Sequence, residues 1–385
     1  MQRIDEILTQ AVARGAAPGL VAAAATDRGV IYHRAFGTRG VGDARPMEPD
    51  SVFWIHSMTK AIATAACMQQ VEAGALSLDE DVGGLVPQLA APRVLEGFDA
   101  AGAPILRPAD GAITLRRLLT HTAGFAYEMW NANILRYGKA SAIPRHKTFD
   151  SAENCLPLAF DPGTNWGYGV GIDWAGKVLE AATGTSLDAY LQARIFAPLG
   201  MEDTGYLLRP DIAARMAGFH RREADGGLTP APITPAQDPA YFMGGGGLYS
   251  TAGDYLTFLR MLLGGGRFND TRLLAAETVA LMGRNHIGDL AVSALNTVDP
   301  ARSNDADFFP GMAKKWGLSF LINTQDVPGR RAAGSLAWAG LANTYFWLDP
   351  TRRVAGVILA QMLPFADPAV LDTLVAFEQA VYAAL

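Results

Sequence analysis

Strand-type runs stand at both ends of this chain and helical ones fill its middle, so the two ends have to meet if the strands are to share a sheet. Near the start, "GLVAAAATDRGVIYHRAFGTRG" holds two β-type apolar runs joined by the turn-prone "TDRG", the pattern of a hairpin. Near the finish, "WGLSFLIN", "NTYFWLDP" and "RVAGVILAQML" read as strands, and "ADPAVLDTLVAFEQAVYAAL" as a closing helix. In the opening "MQRIDEILTQAVARG", Ile4, Ile7, Leu8 and Val12 share one helical face. The expected architecture is one sheet drawn from both ends and flanked by the two terminal helices. Residues 1–56 and 206–385 form that α/β part, and residues 57–205 form a mainly helical one.

Within the middle, the pattern from Ser57 to about Gly74 is helical, and "SLDED" offers a serine N-cap with acidic residues in the first turn of another short helix. The stretches "LEGFDAAGAPILRPADGA" and "RYGKASAIPRHKTFD" read as long irregular connections. Further on, "YSTAGDYLTFLRMLLGGG" and "AAETVALMGR" read as helices.

A chain of 385 residues exceeds the size at which one core usually stops growing, so a large two-part domain or two domains are expected. A formal net charge of −6 and the lack of any Lys/Arg block argue against nucleic acid as a partner. No apolar run approaches the roughly 20 residues that span a bilayer, and the start does not read as an export signal, so a cytoplasmic protein without membrane attachment is expected. Cys67 and Cys155 have neither zinc-type spacing nor a disulfide pattern and read as buried thiols. His33, His56, His121, His146, His220 and His286 are scattered, without H-E-x-x-H or H-x-H, so no metal is expected.

"SMTK" carries the first candidate chemistry. Positions three apart share a helix face, so Lys60 lies within reach of the Ser57 hydroxyl. At a helix start, unpaired N–H groups and the positive dipole end favour a developing anion. The same field, with desolvation among Ile62, Ala63 and Ala66, lowers the lysine pKa toward a neutral amine. The alternative is a serine that only caps the helix and a lysine that reaches solvent. Of the six lysines, Lys60 alone follows a serine at that spacing.

Two other stretches carry candidates. In "FDPGTNWGYGVGIDWAGKVLE" a turn precedes Tyr168 and a helix that begins near Gly171. The Tyr168 phenol either relays a proton, if a cation such as Lys60 lowers its pKa, or packs as a hydrogen-bonded aromatic. In "LAWAGLANTYFWLDP", Trp338, Ala339 and Gly340 open an apparent edge strand. Gly340 there either lets an acyl ligand approach main-chain N–H groups or marks a bulge. "MGGGGLYSTAGD" fits neither G-x-G-x-x-G nor a P-loop and reads as a flexible approach to the helix that "STAGD" caps. No G-x-S-x-G occurs.

Taken in order, "SMTK", "LLTHTAGF", Tyr168 after "PGTNWG", "GGGGLYSTAGDY" and "WAGLANTYFWLDP" resemble the serine β-lactamase and penicillin-binding-protein superfamily from about residue 50 to residue 365. The likeness is greatest to the family VIII carboxylesterases, which are related to class C β-lactamases, and the fungal polyketide-side-chain acyltransferases are nearby. The resemblance implies a β-lactamase/transpeptidase-like fold: α/β + α, an antiparallel sheet flanked by terminal helices plus a mainly helical domain, with the active site at the interface. It also implies Ser57 as the acylated nucleophile, Lys60 as its base and Tyr168 as the proton shuttle. The main-chain N–H groups of Ser57 and Leu341 would form the oxyanion hole, and Tyr127, Trp338 and Gly340 would contact substrate.

Two departures shape the expected substrate. Class C β-lactamases show tyrosine, any residue, asparagine where this chain has Tyr168, Gly169 and Val170, and Lys-Thr-Gly where it has Trp338, Ala339 and Gly340. Losing the lysine removes a donor for a substrate carboxylate, while an aromatic suits an uncharged group. The expected activity is cofactor-free hydrolysis of short- to medium-chain acyl esters, small molecules, with at most weak β-lactam hydrolysis. The rivals are acyl transfer to an alcohol and a non-catalytic acyl- or peptide-binding role. The oligomeric state is not legible.

Overall fold

The computed structural model describes residues 1–141, 143, 149, 155–233 and 236–385. Helix α1 (Gln2–Ala13) leads into β1 (Gly19–Thr26), β2 (Gly29–Gly40) and β3 (Asp43–Pro46). A 3-10 turn at His56–Met58 passes directly into α2 (Thr59–Glu72). The central part carries a hairpin of β4 (Arg93–Phe98) and β5 (Pro104–Pro108), followed by α3 (Gly171–Thr183). The C-terminal part adds α4 (Ala252–Leu263), β6 (Lys314–Trp316), β7 (Leu321–Asn323), β8 (Leu336–Gly340), β9 (Thr344–Asp349), β10 (Val354–Leu359) and α5 (Pro368–Ala383).

The two ends of the chain do share one sheet, in the order β6-β7-β8-β9-β10-β1-β2-β3, and every pair in it is antiparallel. The join is β1 against β10, with Val21 opposite Leu359 and Thr26 opposite Val354. β1, β9 and β10 are buried along nearly their whole length, as strands covered on both faces must be. Helices α1 and α5 pack on each other. Among the described residues, no helix is long and apolar enough to cross a membrane.

Local readings changed in four places. The stretch around "LEGFDAAGAPILRPADGA" is the β4–β5 hairpin, with Leu95 opposite Leu106, instead of an irregular connection. Its apolar residues are sparse and its turn is built on Asp99, whose carboxylate accepts from the Ala101 and Ala103 N–H groups, so period-two alternation is weak there. In "RYGKASAIPRHKTFD", Arg136 to Ser141 finish a helix at Ala132–Ser141; most of the rest, including His146, lies outside the described residues. After "SLDED" there are two 3-10 turns, Val82–Gly84 and Pro87–Leu89, in place of an α-helix, the first capped by Asp81 rather than Ser77. Cys67 is buried as expected, but Cys155 is half-buried.

Candidate active site

Helix α2 is buried on every side through its first ten residues, from Thr59 to Met68, and apolar at all of them except Thr59, Lys60 and Thr64. A helix of that kind has no face for water, so Lys60 in its first turn has no route to solvent and is fully buried. Its ammonium nitrogen is 3.0 Å from Ser57 Oγ, 3.1 Å from the Tyr127 hydroxyl and 2.6 Å from the Gly245 carbonyl oxygen. Burial lowers the Lys60 pKa to about 7, and the nearby Asp173 carboxylate partly opposes that shift. Ser57 makes no cap to α2, so the capping alternative does not hold.

The Ser57 segment is clamped on both sides. Ile55 N–H donates to Leu248 O at 3.0 Å, Leu248 N–H donates to Thr59 Oγ1 at 3.2 Å, and Tyr255 OH donates to Met58 O at 2.9 Å. His56, just before Ser57, has φ +46°, a region that costs a non-glycine residue roughly 1–3 kcal/mol. Its ring is stacked on Trp54 with centroids 3.8 Å apart, which holds the backbone there. Burial holds His56 at about 3 and His121 well below the usual imidazole range, so both are neutral.

Tyr168 is brought in by the "LLTHTAGF" segment. The His121 carbonyl accepts from Gly167 N–H at 2.9 Å, its Nδ1 accepts from Gly169 N–H at 3.4 Å, and Tyr127 N–H donates to Tyr168 O at 2.9 Å. The Tyr168 hydroxyl accepts from Trp338 Nε1 at 2.8 Å, and the Ser57 side chain is near enough to act on its pKa. The expectation that a cation lowers the Tyr168 pKa is corrected: burial outweighs these contacts and raises it. The group is a phenol throughout the working range, able to donate but not to act as a resting phenolate.

Two expectations about the late motif also change. Trp338, Ala339 and Gly340 close β8 instead of opening it, and the strand is interior to the sheet; only Leu336 and Ala337 pair with β7, which ends early and leaves the last three residues free on that side. Gly340 does not line the cavity. A Cβ on it would fall well inside van der Waals contact of Ile55 O and Thr344 Oγ1, so the glycine serves the approach of β8 to the Ser57 segment. That approach places Leu341 and Ser57 on the wall of one cavity.

The cavity has a volume of about 680 Å³, and Trp54, Tyr127, Trp130, Tyr168, Trp338 and Phe365 are among its walls. Such an apolar enclosure with a few convergent polar groups is the usual form of a small-molecule site. Sequence reasoning passed over Asp173, His121 and Gly245. The one available signal was an aspartate in the otherwise apolar start of "GIDWAGKVLE". The glycine run 244–247 is packed closely against α3 and the site and is not a loose approach to α4; the expected cap is present, with Thr251 Oγ1 accepting from Asp254 N–H at 3.1 Å.

Residues 4–380 match the beta-lactamase family. The chain is 35% identical to monacolin J acid methylbutanoyltransferase of Aspergillus terreus over 388 residues, covering 95% of this chain and 92% of that protein. It is 33% identical to lovastatin esterase of Penicillium rubens, covering 98% of each. Unliganded simvastatin synthase from Aspergillus terreus superposes with a TM-score of 0.86 at 33% identity, over 99% of this chain and 97% of that one. The fold is thus of the β-lactamase/transpeptidase type.

Proposed function

For a chain that belongs to the beta-lactamase family, we propose the activity of a serine carboxylesterase that cleaves short- to medium-chain acyl esters through an acyl-enzyme on Ser57. The observation that carries this reading is the buried Lys60 amine, 3.0 Å from Ser57 Oγ, with a pKa lowered to about 7. A neutral amine has two N–H bonds and one lone pair. The Gly245 carbonyl can only accept, so one N–H is committed to it. Tyr127 takes the second position, and the lone pair is left facing Ser57.

Lys60 removes the Ser57 proton as Oγ attacks the ester carbonyl. The main-chain N–H groups of Ser57 and Leu341, on the same cavity wall, receive the oxyanion. The proton held by Lys60 reaches the leaving alkoxide by way of Tyr168, whose hydroxyl stays protonated and is oriented by Trp338. Water then enters by the reverse route and releases the acid.

A second reading, acyl transfer to an alcohol, is favoured by the cavity. At about 680 Å³ it exceeds what a short acyl group occupies, and its aromatic walls suit a large uncharged acceptor. The methylbutanoyltransferase relative, similar over nearly its full length, supports that reading equally. The test is product partition: p-nitrophenyl butyrate is supplied with and without a panel of apolar alcohols, and free acid and new ester are separated by chromatography. Acid as the main product under all conditions supports the esterase. New ester dominating with one acceptor supports the transferase. Neither product, with intact substrate, would end both readings.

A further inference from the structure

The Lys60 amine is held in place by a carboxylate that never touches it. Asp173 lies in the first turn of α3 and is buried, 6% exposed. Its Oδ1 accepts from the Gly245 N–H at 3.0 Å, and the carbonyl of the same Gly245 accepts from Lys60 at 2.6 Å. A Cβ at position 245 would fall well inside contact of Asp173 Oδ2, so only glycine lets the carboxylate come this close. We infer that Asp173 is a positioning residue for the base: through Gly245 it fixes the carbonyl that orients the lysine lone pair toward Ser57. The inference rests on the reading of Lys60 as the base.

Three features make Asp173 suited to this. The N-terminal turn of α3 presents the positive end of the helix dipole to the carboxylate. Burial pushes its own pKa up from the usual carboxylate value, Lys60 and the Gly245 N–H oppose that shift, and its through-space effect on Lys60 raises the amine's pKa against the lowering by burial. The other groups around the amine carry no opposing charge: His56 and His121 are neutral, Tyr168 is a phenol, and Ser57, Tyr127 and the Gly245 carbonyl are hydrogen-bonding groups. Asp173 is therefore the group that couples the amine's geometry to its protonation.

Asp173→Asn and Asp173→Ala separate these two effects. An asparagine oxygen still accepts from Gly245 N–H but carries no charge; alanine supplies neither. The measurement is the kcat/KM and kcat profile against pH for p-nitrophenyl butyrate, with unfolding midpoints taken on the same preparations. For Asp173→Asn, the acid limb moves to lower pH by about 1 unit and the plateau kcat falls only about threefold. For Asp173→Ala, plateau kcat falls about thirtyfold or more with KM changed far less. An acid limb in Asp173→Asn that coincides with wild type would overturn the inference, as would a wild-type plateau in Asp173→Ala. If Lys60→Ala itself kept the wild-type rate and limb, the base assignment would fall first, and this inference with it. A purely structural role would lower the unfolding midpoint without moving the limb, and that result also counts against it.

Discussion

The indole Nε1 of Trp338 donates to the hydroxyl of Tyr168 at 2.8 Å, and both rings are buried, their centroids 4.8 Å apart. Position 338 thus carries a neutral donor aimed at the chain's own tyrosine. The bond occupies an acceptor site on the phenol oxygen and leaves its proton for the Ser57 side.

Trp338→Phe keeps most of the aromatic wall and removes the donor. We expect kcat for p-nitrophenyl butyrate to fall about tenfold, the worth of one buried hydrogen bond of roughly 1.4 kcal/mol, with little change in KM. Steady-state kinetics checks this; a loss confined to KM would make Trp338 a binding residue only.

The lowered Lys60 pKa of about 7 fixes the sign of the pH response. Below that value the amine is protonated and cannot accept the Ser57 proton, so kcat/KM rises with pH through a midpoint near 7 and levels off above it. His56, held at about 3, and His121, lower than usual, stay neutral across this window and contribute no limb. A flat profile from about pH 5 to about pH 9 would contradict a lysine base.

Gly340→Ala places a methyl group against Ile55 O and Thr344 Oγ1. Overpacking of this kind costs about 1–3 kcal/mol, and β8 has to withdraw from the Ser57 segment to relieve it. The urea midpoint should drop with the slope unchanged, and kcat should fall more than stability alone requires, because Leu341 moves with the strand. An alanine variant with wild-type midpoint and rate would show that the close approach is dispensable.

Much of this site was legible because it is local. Ser57 and Lys60 are one helical turn apart, and the burial of Lys60 follows from the run behind it, apolar but for Thr64. The sheet was legible because β1, β9 and β10 are saturated with β-branched, aromatic and alanine residues. The surroundings of Lys60 were a different matter: Gly245 and Tyr127 bond it from 185 and 67 residues away in sequence and Asp173 acts through Gly245 from 113 away, so that Tyr127 was expected only as a substrate contact and the aspartate in an apolar helix start did not say what it faces. Gly340 misled, because a glycine beside a candidate motif looks the same whether it makes room for a ligand or for a neighbouring carbonyl. The Tyr168 pKa misled for a similar reason: sequence shows the nearby cation but not the depth of burial that outweighs it.

Esters should be turned over far better than penicillins. By the resemblance to class C β-lactamases, Val170 and Trp338 replace an amide and a cation that would hold the β-lactam side chain and carboxylate, and each such missing contact removes on the order of 1–3 kcal/mol of transition-state binding. Comparing kcat/KM for p-nitrophenyl butyrate, benzylpenicillin and nitrocefin on one preparation checks this, with slow attack on nitrocefin at most expected. Equal rates for penicillin and ester would remove the esterase assignment.

The central claim is a covalent acyl group on Ser57. Intact-protein mass spectrometry after brief exposure to p-nitrophenyl butyrate, on wild type and on Ser57→Ala, tests it without assuming a physiological substrate. A lost hydroxyl that caps nothing leaves the fold intact, so both proteins are compared in the folded state. Wild type should gain the mass of one acyl group, localised by peptide mapping to Ser57 and lost again as acid is released, while Ser57→Ala gains nothing and turns over no ester. An equal adduct on the alanine variant, or an acyl group mapped to another residue, would place the nucleophile elsewhere.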